Sequence, residues 1–387
     1  MALCNGLAFK LLKSVSLRSL GTQTAQAVKI QEEVLQTFRT NENNPAKHTK
    51  QHLGRYYTVP PSDIVPIIGD GEMPLTPIKK EIKTFMQWNI LIRKPALEII
   101  SYLSQTDYSK PVNKYVLFGE DGTGKTLSLL HVIHYGYVTK KLIIYIPWLQ
   151  EWYRFPRECA NSETKEGLVD LPIDAAKLLL NFRNINALLL SKIDIKLSKD
   201  YVFGVDTFHK DAPITEMVDF GISRIKYACD VIDTLFNEIK LASIAGKCNT
   251  LVAVDGYNAI YSKTTFVKDD NKQKVPASRV SLTQSLLELT KSDWCNGQIV
   301  LTVDQKAVKD NRESHLPRYL LAKEGFNHLD PFLPVGVENY TQDEFDTVME
   351  YYKNRKWIRN ISEEGLKELR LVCGSNPYRL MDYCKDL

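Results

Sequence analysis

Eight consecutive residues carry the clearest chemistry in this 387-residue sequence. From Gly119 to Thr126 they satisfy the pattern G-x-x-x-x-G-K-[S/T] in full. Glycines in such a loop let backbone N–H groups face phosphate oxygens, and the start of the following helix adds positive potential. Lys125 is then placed to bridge the β and γ phosphates, and Thr126 to offer its hydroxyl to a magnesium ion. The pattern predicts a site for a nucleoside triphosphate with Mg²⁺.

This chemistry also requires an acid at the end of a neighbouring apolar strand, and Asp255 meets that requirement. It follows the run Leu251–Val254, so we predict that its carboxylate orients the metal, as a Walker B residue does. Many ATP-hydrolysing machines place a Glu directly after that acid to polarise water, whereas this chain has Gly256. Asn258 can hold a water without deprotonating it efficiently. We therefore predict nucleotide binding with slow hydrolysis or none, and assign no catalytic residue.

These motifs together define one predicted nucleotide site. Thr126 and Asp255 are expected to hold the metal. The nucleotide-contacting residues are expected to be Gly119, Glu120, Asp121, Gly122, Thr123, Gly124, Lys125, Thr126, Leu127 and Asp255.

The sequence leaves the γ-phosphate sensor and the arginine finger open. Thr302, Asp304 and Gln305 follow the next apolar run, where they could sense the γ phosphate or simply cap a helix. Spacing singles out no arginine finger. The candidates for that role are Arg312, Arg318 and Arg379.

Motifs do not fix the base preference either. Ser191–Asp194 looks like the [N/T]-K-x-D guanine motif, but it precedes the Walker B strand, which is the wrong order. Arg93 and Lys94, upstream of the loop, could flank a base, although the composition favours solvated surface residues.

Five apolar runs predict the sheet that positions these residues. Helical patterns separate the runs, among them Ile82–Leu103, Lys125–Tyr137 and one long pattern over Ile214–Ala242, so we expect a doubly wound parallel sheet. The predicted fold is an α/β P-loop NTPase domain with an AAA/STAND-like parallel sheet flanked by helices. The predicted strands are Lys114–Phe118, Lys141–Ile146, Thr250–Val254, Gln298–Val303 and Phe332–Val337.

Composition divides the chain into four regions. Residues 1–30 are basic and lack acids, which predicts a mitochondrial transit peptide. Residues 31–80 are rich in Asn, Pro, Gly and His, which predicts an extended basic arm on a surface. Residues 81–339 form the P-loop nucleotide-binding domain, with an insertion at about 148–214. Residues 340–387 form a helical lid, in which Thr341–Glu344 and Ser362–Gly365 resemble helix starts.

Charge and cysteine usage limit the function classes. The net charge of +4 is concentrated in residues 1–60, which hold eight Lys or Arg against three Glu, as suits an import signal or a segment that contacts RNA. No apolar run is long enough to predict a membrane span. The seven cysteines form no C-x-x-C pair or zinc cluster. His48 and His52 could bind a metal, but their polar context favours solvated or RNA-facing histidines.

The sequence closely resembles the death-associated protein three family, whose members are GTP-binding proteins of the mitochondrial small ribosomal subunit. The likeness spans roughly residues 39 to 380, and the insertion at 148–214 matches poorly. The segments that carry it are Arg39–His48, Ile92–Glu98, the P-loop with Leu127–Leu129, Leu251–Asn258, Lys323–Phe326, Leu329–Phe332 and Asn339–Tyr340.

The resemblance implies a structural subunit in the head of the mitochondrial small ribosomal subunit. It implies contacts with ribosomal RNA and neighbouring ribosomal proteins, bound GTP or GDP with Mg²⁺, and a link to apoptosis. The family's phosphate loop matches Gly122, Gly124, Lys125 and Thr126, its magnesium position matches Asp255, and it shares the missing Glu. Guanine is implied by this likeness alone.

Two other functions remain open from the sequence. One is an active P-loop NTPase switch or remodelling ATPase in cell-death signalling, which Gly256 disfavours. The other is a stand-alone RNA-binding module made of the arm and the lid. A DNA partner is not expected.

Overall fold

The computed structural model describes residues 38–68, 76–308 and 313–385. The predicted transit peptide, residues 1–30, and Arg312 lie outside the described residues.

The sheet that carries the nucleotide motifs has five parallel strands in the order β11-β3-β10-β9-β4. The remaining strands form three short antiparallel pairs. The parallel α/β fold flanked by helices is therefore confirmed. The strands are β1 Tyr56–Thr58, β2 Asn89–Leu91, β3 Asn113–Phe118, β4 Leu142–Ile146, β5 Ala160–Asn161, β6 Val169–Asp170, β7 Tyr201–Phe203, β8 Asp206–Phe208, β9 Thr250–Val254, β10 Gly297–Thr302 and β11 Leu333–Gly336.

Helices cover both faces of this sheet, because its strands are apolar on both sides. Along β9, for example, Val252 packs into the core on one face while Leu251 and Ala253 pack into the core on the other. The described helices are Pro61–Ile68, Thr76–Phe85, Lys94–Gln105, Lys125–Val138, Gln150–Arg154, Pro172–Leu190, Ile214–Ser223, Ala228–Ile244, Ser281–Leu289, Pro317–Leu320, Ala322–Leu329, Gln342–Asn354, Glu363–Cys373 and Pro377–Cys384.

Strand register brings the predicted chemistry to one edge of the sheet. Leu301 of β10 pairs with Val254 of β9, and Thr302 pairs with Leu117 of β3. The carboxyl ends of these three strands therefore lie side by side. The loops that follow them, which contain the P-loop, Asp255 and Asp304, face the same side of the molecule.

Two predicted helices are interrupted. The pattern over Ile82–Leu103 contains β2, because Met86 adopts a positive φ of 54° and ends the first helix, and Asn89–Leu91 are buried as a strand. The pattern over Ile214–Ala242 breaks at Arg224, whose φ and ψ of −109° and 71° are not helical. The break lets both halves pack on the helix Pro172–Leu190.

The prediction that residues 31–80 form an extended arm is wrong for the described residues of this range, 38–68 and 76–80. This part contains two 3₁₀ turns, β1, the helix Pro61–Ile68 and the start of the next helix. Tyr56 of β1 pairs with Leu91 of β2, and Phe38, Tyr57 and Val59 are buried. These scattered apolar residues bind the segment to the domain, since each removes apolar surface from water.

The last three described helices match the predicted helical pattern after Tyr340. Thr341 and Glu344 form a reciprocal capping box, and the Ser362 hydroxyl accepts a hydrogen bond from the N–H of Gly365. Both predicted helix starts are confirmed. No helix of the described ranges is long and apolar enough to cross a bilayer.

Candidate nucleotide site

The P-loop, Gly119–Thr126, turns between the end of β3 and the helix that begins at Lys125. Glycine is required at two of its positions by close approach. A Cβ at Gly119 would lie 2.2 Å from the carbonyl oxygen of Val337. Gly122 has a φ of 78°, and a Cβ there would lie 2.7 Å from Oδ1 of Asn376. The loop is therefore shaped both by its own turn and by the segments packed behind it.

The ammonium group of Lys125 is buried and fully hydrogen-bonded. Its Nζ lies 3.0 Å from the carbonyl oxygen of Gly119 and 2.6 Å from that of Glu120. It also forms an ion pair with Oδ2 of Asp304 at 2.9 Å. Three donors thus meet three oxygens, and the carboxylate of Asp304 is the only anion among them. A phosphate would have to share or replace that contact.

Asp255 and Thr126 meet at the predicted metal position. The Thr126 hydroxyl donates to Oδ2 of Asp255 at 2.7 Å, and the Thr302 hydroxyl donates to Oδ1. Burial raises the pKa of Asp255, and the two hydroxyl donors oppose that rise. A hydroxyl and a carboxylate are ligands that Mg²⁺ accepts. The described residues contain no group of three His, Cys, Asp or Glu that could hold a metal, so a metal here needs phosphate oxygens as further ligands.

The Asn258 amide, which the sequence offered as a group that could hold a water, binds the backbone of Asp304 on both sides. Its Nδ2 donates to the carbonyl oxygen of Asp304 at 2.8 Å, and its Oδ1 accepts from the Asp304 N–H at 3.0 Å. Asp304 itself caps a 3₁₀ turn, because Oδ1 accepts from the Lys306 N–H at 2.8 Å while Oδ2 faces Lys125. Asp304 therefore is a helix cap, and its ion pair with Lys125 places it beside the P-loop, while its role as a γ-phosphate sensor stays a prediction. Thr302 contacts Asp255, and Gln305 only begins the turn.

Arg93 is buried, not solvated as the sequence favoured. The side chain is 7% exposed, and Nη1 donates to the Thr123 carbonyl of the P-loop at 2.6 Å. Its Nε and Nη2 bind the two carboxylate oxygens of Glu344, both at 3.1 Å. Lys94 is exposed. No local pattern separates the two neighbours, because the partner that buries Arg93 lies 251 residues away.

Asn376 and Tyr378 tie the last helix to the P-loop, and the sequence analysis missed both. Asn376 Nδ2 donates to the Asp121 carbonyl at 2.9 Å, and the Tyr378 N–H donates to the Gly122 carbonyl at 3.1 Å. Asn376 also caps its own helix, since Oδ1 accepts from the Arg379 N–H. The Asn-Pro start of a helix was a readable signal for the cap, but not for the contact with the loop. We call the contacts of Arg93, Glu344 and Asn376 the clamp.

A cavity of about 530 Å³ opens at the P-loop. This volume lies within the roughly 300–1,000 Å³ of small-molecule sites. One wall is the P-loop, and the far end lies between the folded arm and the lid. Its lining at the loop comprises Asp121, Gly122, Gly124, Lys125, Thr126, Leu127, Trp148, Asp304 and Lys306, and its lining at the far end includes Tyr56, Lys80, Glu81, Asn89, Leu91, Tyr340, Tyr352, Met381 and Asp382.

Other predicted residues lie elsewhere. Gly119, Glu120 and Thr123 support the loop without lining the cavity, and Asp255 lies behind Thr126. Arg318 and Arg379 are exposed and do not line the cavity. Ser191–Asp194 line a different pocket. His48 is 7% exposed and shares a hydrogen bond with His131, so it is not a solvated or RNA-facing histidine.

Comparisons with known proteins give a consistent result. The profile of the family described as "Mitochondrial ribosomal death-associated protein 3" matches residues 90–383. The "Small ribosomal subunit protein mS29" of Mus musculus is 37% identical over 354 residues, which cover 90% of this chain and 89% of that protein. The protein of the same name from Bos taurus is 38% identical over 351 residues, which cover 89% of this chain and 87% of that protein.

Among solved structures, a Walker-type ATPase of Pyrococcus abyssi aligns at 12% identity with a TM-score of 0.41, covering 76% of this chain and 65% of that one. The profile match covers about three quarters of the chain, and the two relatives are 37% and 38% identical over about nine tenths of it. The chain therefore belongs to the mitochondrial ribosomal death-associated protein 3 family, as the resemblance seen in its sequence predicted.

Proposed function

We propose that this protein is a structural component of the mitochondrial small ribosomal subunit that binds a guanine nucleotide with Mg²⁺ and hydrolyses it slowly or not at all. The names of the mouse and bovine relatives support the ribosomal role. The observation that carries the nucleotide role is the cavity, which joins the P-loop, the folded arm and the lid. The proposed partners are ribosomal RNA of that subunit and neighbouring ribosomal proteins, and the proposed location is the mitochondrion.

The residues around the P-loop can each be given a task in binding. The helix that starts at Lys125 presents its free N–H groups and its positive end to the cavity. Lys125 supplies a cation, and Thr126 and Asp255 supply oxygen ligands. A bound magnesium nucleotide supplies the negative charge and the remaining metal ligands that this donor set lacks.

The same residues disfavour turnover. Gly256 has no side chain at the position where a Glu would activate water, and both sides of the Asn258 amide are held by Asp304. Asp304 is itself paired with Lys125. Each candidate base near the phosphates is therefore absent or already engaged. A bound nucleotide would then act as a stabilising ligand, because binding to the native state raises its stability by mass action.

The test is a Lys125→Ala variant of the full chain. Removing the lysine that the P-loop itself supplies should weaken GDP and GTP binding by about 100-fold or more, since charge-assisted contacts to phosphate are lost. At a ligand concentration about 100 times the dissociation constant, the wild type gains about 2.7 kcal/mol from the nucleotide, and the variant should gain almost none. Calorimetry and melting with and without nucleotide measure both effects.

Lys94→Ala is the matched control, because Lys94 is an exposed lysine at the start of another helix. It should bind nucleotide and melt like the wild type. Reconstitution of the small subunit with each variant then tests the structural role. If Lys125→Ala assembles and melts like the wild type, nucleotide is not a stabilising ligand of this protein.

The rival function is an active P-loop NTPase switch. Single-turnover assays with GTP and ATP separate the two functions, since the proposal predicts little product over the lifetime of the complex. Rapid hydrolysis by the purified wild-type chain would favour the switch instead.

A further inference from the structure

The far end of the cavity must hold whatever follows the phosphates of a bound nucleotide. The P-loop lines one part of the cavity and Tyr56, Tyr340 and Tyr352 line another, so a nucleoside attached to phosphates at Lys125 can extend towards these three rings. Aromatic rings are suited to purine bases because they stack on them, at a gain of roughly 1–3 kcal/mol per base. The far end thus offers three tyrosine rings beside polar and aliphatic side chains.

Most polar groups at this end already have partners within the protein. Asn89 donates from Nδ2 to the Tyr351 hydroxyl at 2.8 Å, and its Oδ1 accepts from the Thr58 hydroxyl at 2.8 Å. Asp382 pairs with Lys385. Lys80 is exposed. Asn89 and Asp382 are therefore engaged, and Lys80, which can only donate hydrogen bonds, cannot accept them from a base.

Glu81 differs from its neighbours. It lines the cavity, and no hydrogen bond or ion pair to it occurs among the described residues. It lies close enough to Tyr56, Tyr340 and Tyr352 to raise the pKa of each. Burial raises the pKa of Glu81 itself to about 7. A carboxylate with no partner in such surroundings is costly, so a ligand that brings donors to it gains a strong interaction.

The chemistry of that ligand follows from the acceptor pattern of a carboxylate. Guanine carries two adjacent donors on one edge, the N1–H and the 2-amino group, which two carboxylate oxygens can accept together. Adenine instead presents the acceptor N1 on that edge, which a carboxylate repels. We propose that Glu81 selects guanine over adenine by accepting hydrogen bonds from both donors. This inference rests on the proposed function, because it assumes that phosphates occupy the P-loop.

The first test uses the wild-type full chain with Mg²⁺ and four diphosphates that differ only in the base. GDP should bind about 100-fold or more tighter than ADP, because a site built to accept two donors rejects a base that lacks them. Inosine diphosphate lacks the 2-amino group and should lose about 10-fold relative to GDP. Xanthosine diphosphate places a carbonyl at that position and should bind more weakly still. Competition calorimetry gives these ratios without altering the protein.

The second test changes the side chain. Glu81→Gln keeps the shape but replaces one acceptor with a donor, which matches the N1–H and the 2-carbonyl of xanthine. The variant should lose at least about 10-fold in GDP affinity and gain at least about 10-fold for xanthosine diphosphate. Glu368→Gln, an exposed Glu on a lid helix, is the matched control and should leave all four affinities unchanged.

The outcomes distinguish this inference from the proposed function. If the wild type binds none of the four diphosphates, the proposed function fails and Glu81 has no base to select. If the wild type binds GDP and ADP equally, or Glu81→Gln keeps the wild-type order of affinities, Glu81 is not the selecting residue, although the nucleotide site stands. A reversal from GDP to xanthosine diphosphate in Glu81→Gln alone supports the inference.

Discussion

The P-loop lies on one contiguous stretch of strand, turn and helix, whereas the far end of the cavity is assembled from distant segments. At the P-loop, Lys125 is satisfied mostly by carbonyl groups five and six residues away. At the far end, Tyr56 and Leu91 come from the arm and β2, while Tyr340 and Tyr352 come from the lid. The ammonium group of Lys125 is therefore held largely by its own loop, but the far end of the cavity exists only when arm and lid are docked.

The largest effect on stability is expected from breaking the clamp, which joins the P-loop to the lid. Arg93→Met should lower the free energy of unfolding by about 3–5 kcal/mol, because it leaves Glu344 buried with an unpaired charge. Urea unfolding measures this loss. The double variant with Glu344→Met should recover part of it, since no lone charge then remains.

Lys94→Met controls for the loss of a cation at the same helix start and should cost well under 1 kcal/mol. If Arg93→Met unfolds like this control, the lid does not depend on the clamp, and the contrast between the loop and the far end disappears.

On the side of the P-loop helix that faces the arm, His131 contacts His48, and His134 contacts Tyr57. Burial lowers the pKa of all three histidines, to about 4 for His48. Folded-state values below the unfolded value of about 6.5 favour the neutral form. The neutral histidines therefore contribute to the free energy of unfolding fully above about pH 6.5, and this contribution is lost as the pH falls towards 4. For His48 the loss approaches about 3 kcal/mol.

Unfolding curves between pH 7 and pH 4 measure this effect against a variant. His48→Asn should show a shallower loss of stability than the wild type over that range, because one buried titrating group is gone. His209→Asn removes an exposed histidine and should follow the wild-type curve. Parallel curves for wild type and His48→Asn would mean that the arm is not held by neutral histidines.

The smallest effect is expected from the other half of the clamp. Asn376→Ala removes the hydrogen bonds to Asp121 and Asn339 together with a helix cap, which should cost about 1–3 kcal/mol. Amide hydrogen exchange should also speed up in the P-loop, where the Asp121 carbonyl loses the hydrogen bond from Asn376.

Ser362→Ala separates the loss of a helix cap from the loss of the contact with the P-loop. It removes a cap from the adjacent lid helix without touching the P-loop, so it should cost about 1 kcal/mol and leave P-loop exchange unchanged. Equal exchange rates in Asn376→Ala and Ser362→Ala would show that the lid does not protect the loop.

The parts of the structure that could be predicted from the sequence are those formed within one contiguous segment. β3, the P-loop and its helix form one contiguous segment, and β9 with Asp255 directly after it forms another. The glycines and apolar runs of both segments have local physical causes. The capping residues Thr341 and Ser362 were likewise readable. These parts need no knowledge of distant neighbours.

The remaining parts depend on contacts that periodicity cannot show. Arg93 and Lys94 have the same charge and adjoin each other, and only a Glu far along the chain makes one of them buried. β2 is three residues long and lies inside a helical pattern, so its pairing with β1 determines its conformation. His48 looks solvated in its polar context, and the histidines of a distant helix bury it.

The cavity is lined by Tyr56 from the arm and by Tyr378 from the last described helix, and this has a consequence for biosynthesis. A nascent chain that has emerged only as far as Val337 has its glycine loop but none of the lid residues. Whatever small molecule this cavity retains can be retained only once the helix Pro377–Cys384 has been translated and folded back. Occupancy would thus report that the lid has been made and has docked on the P-loop.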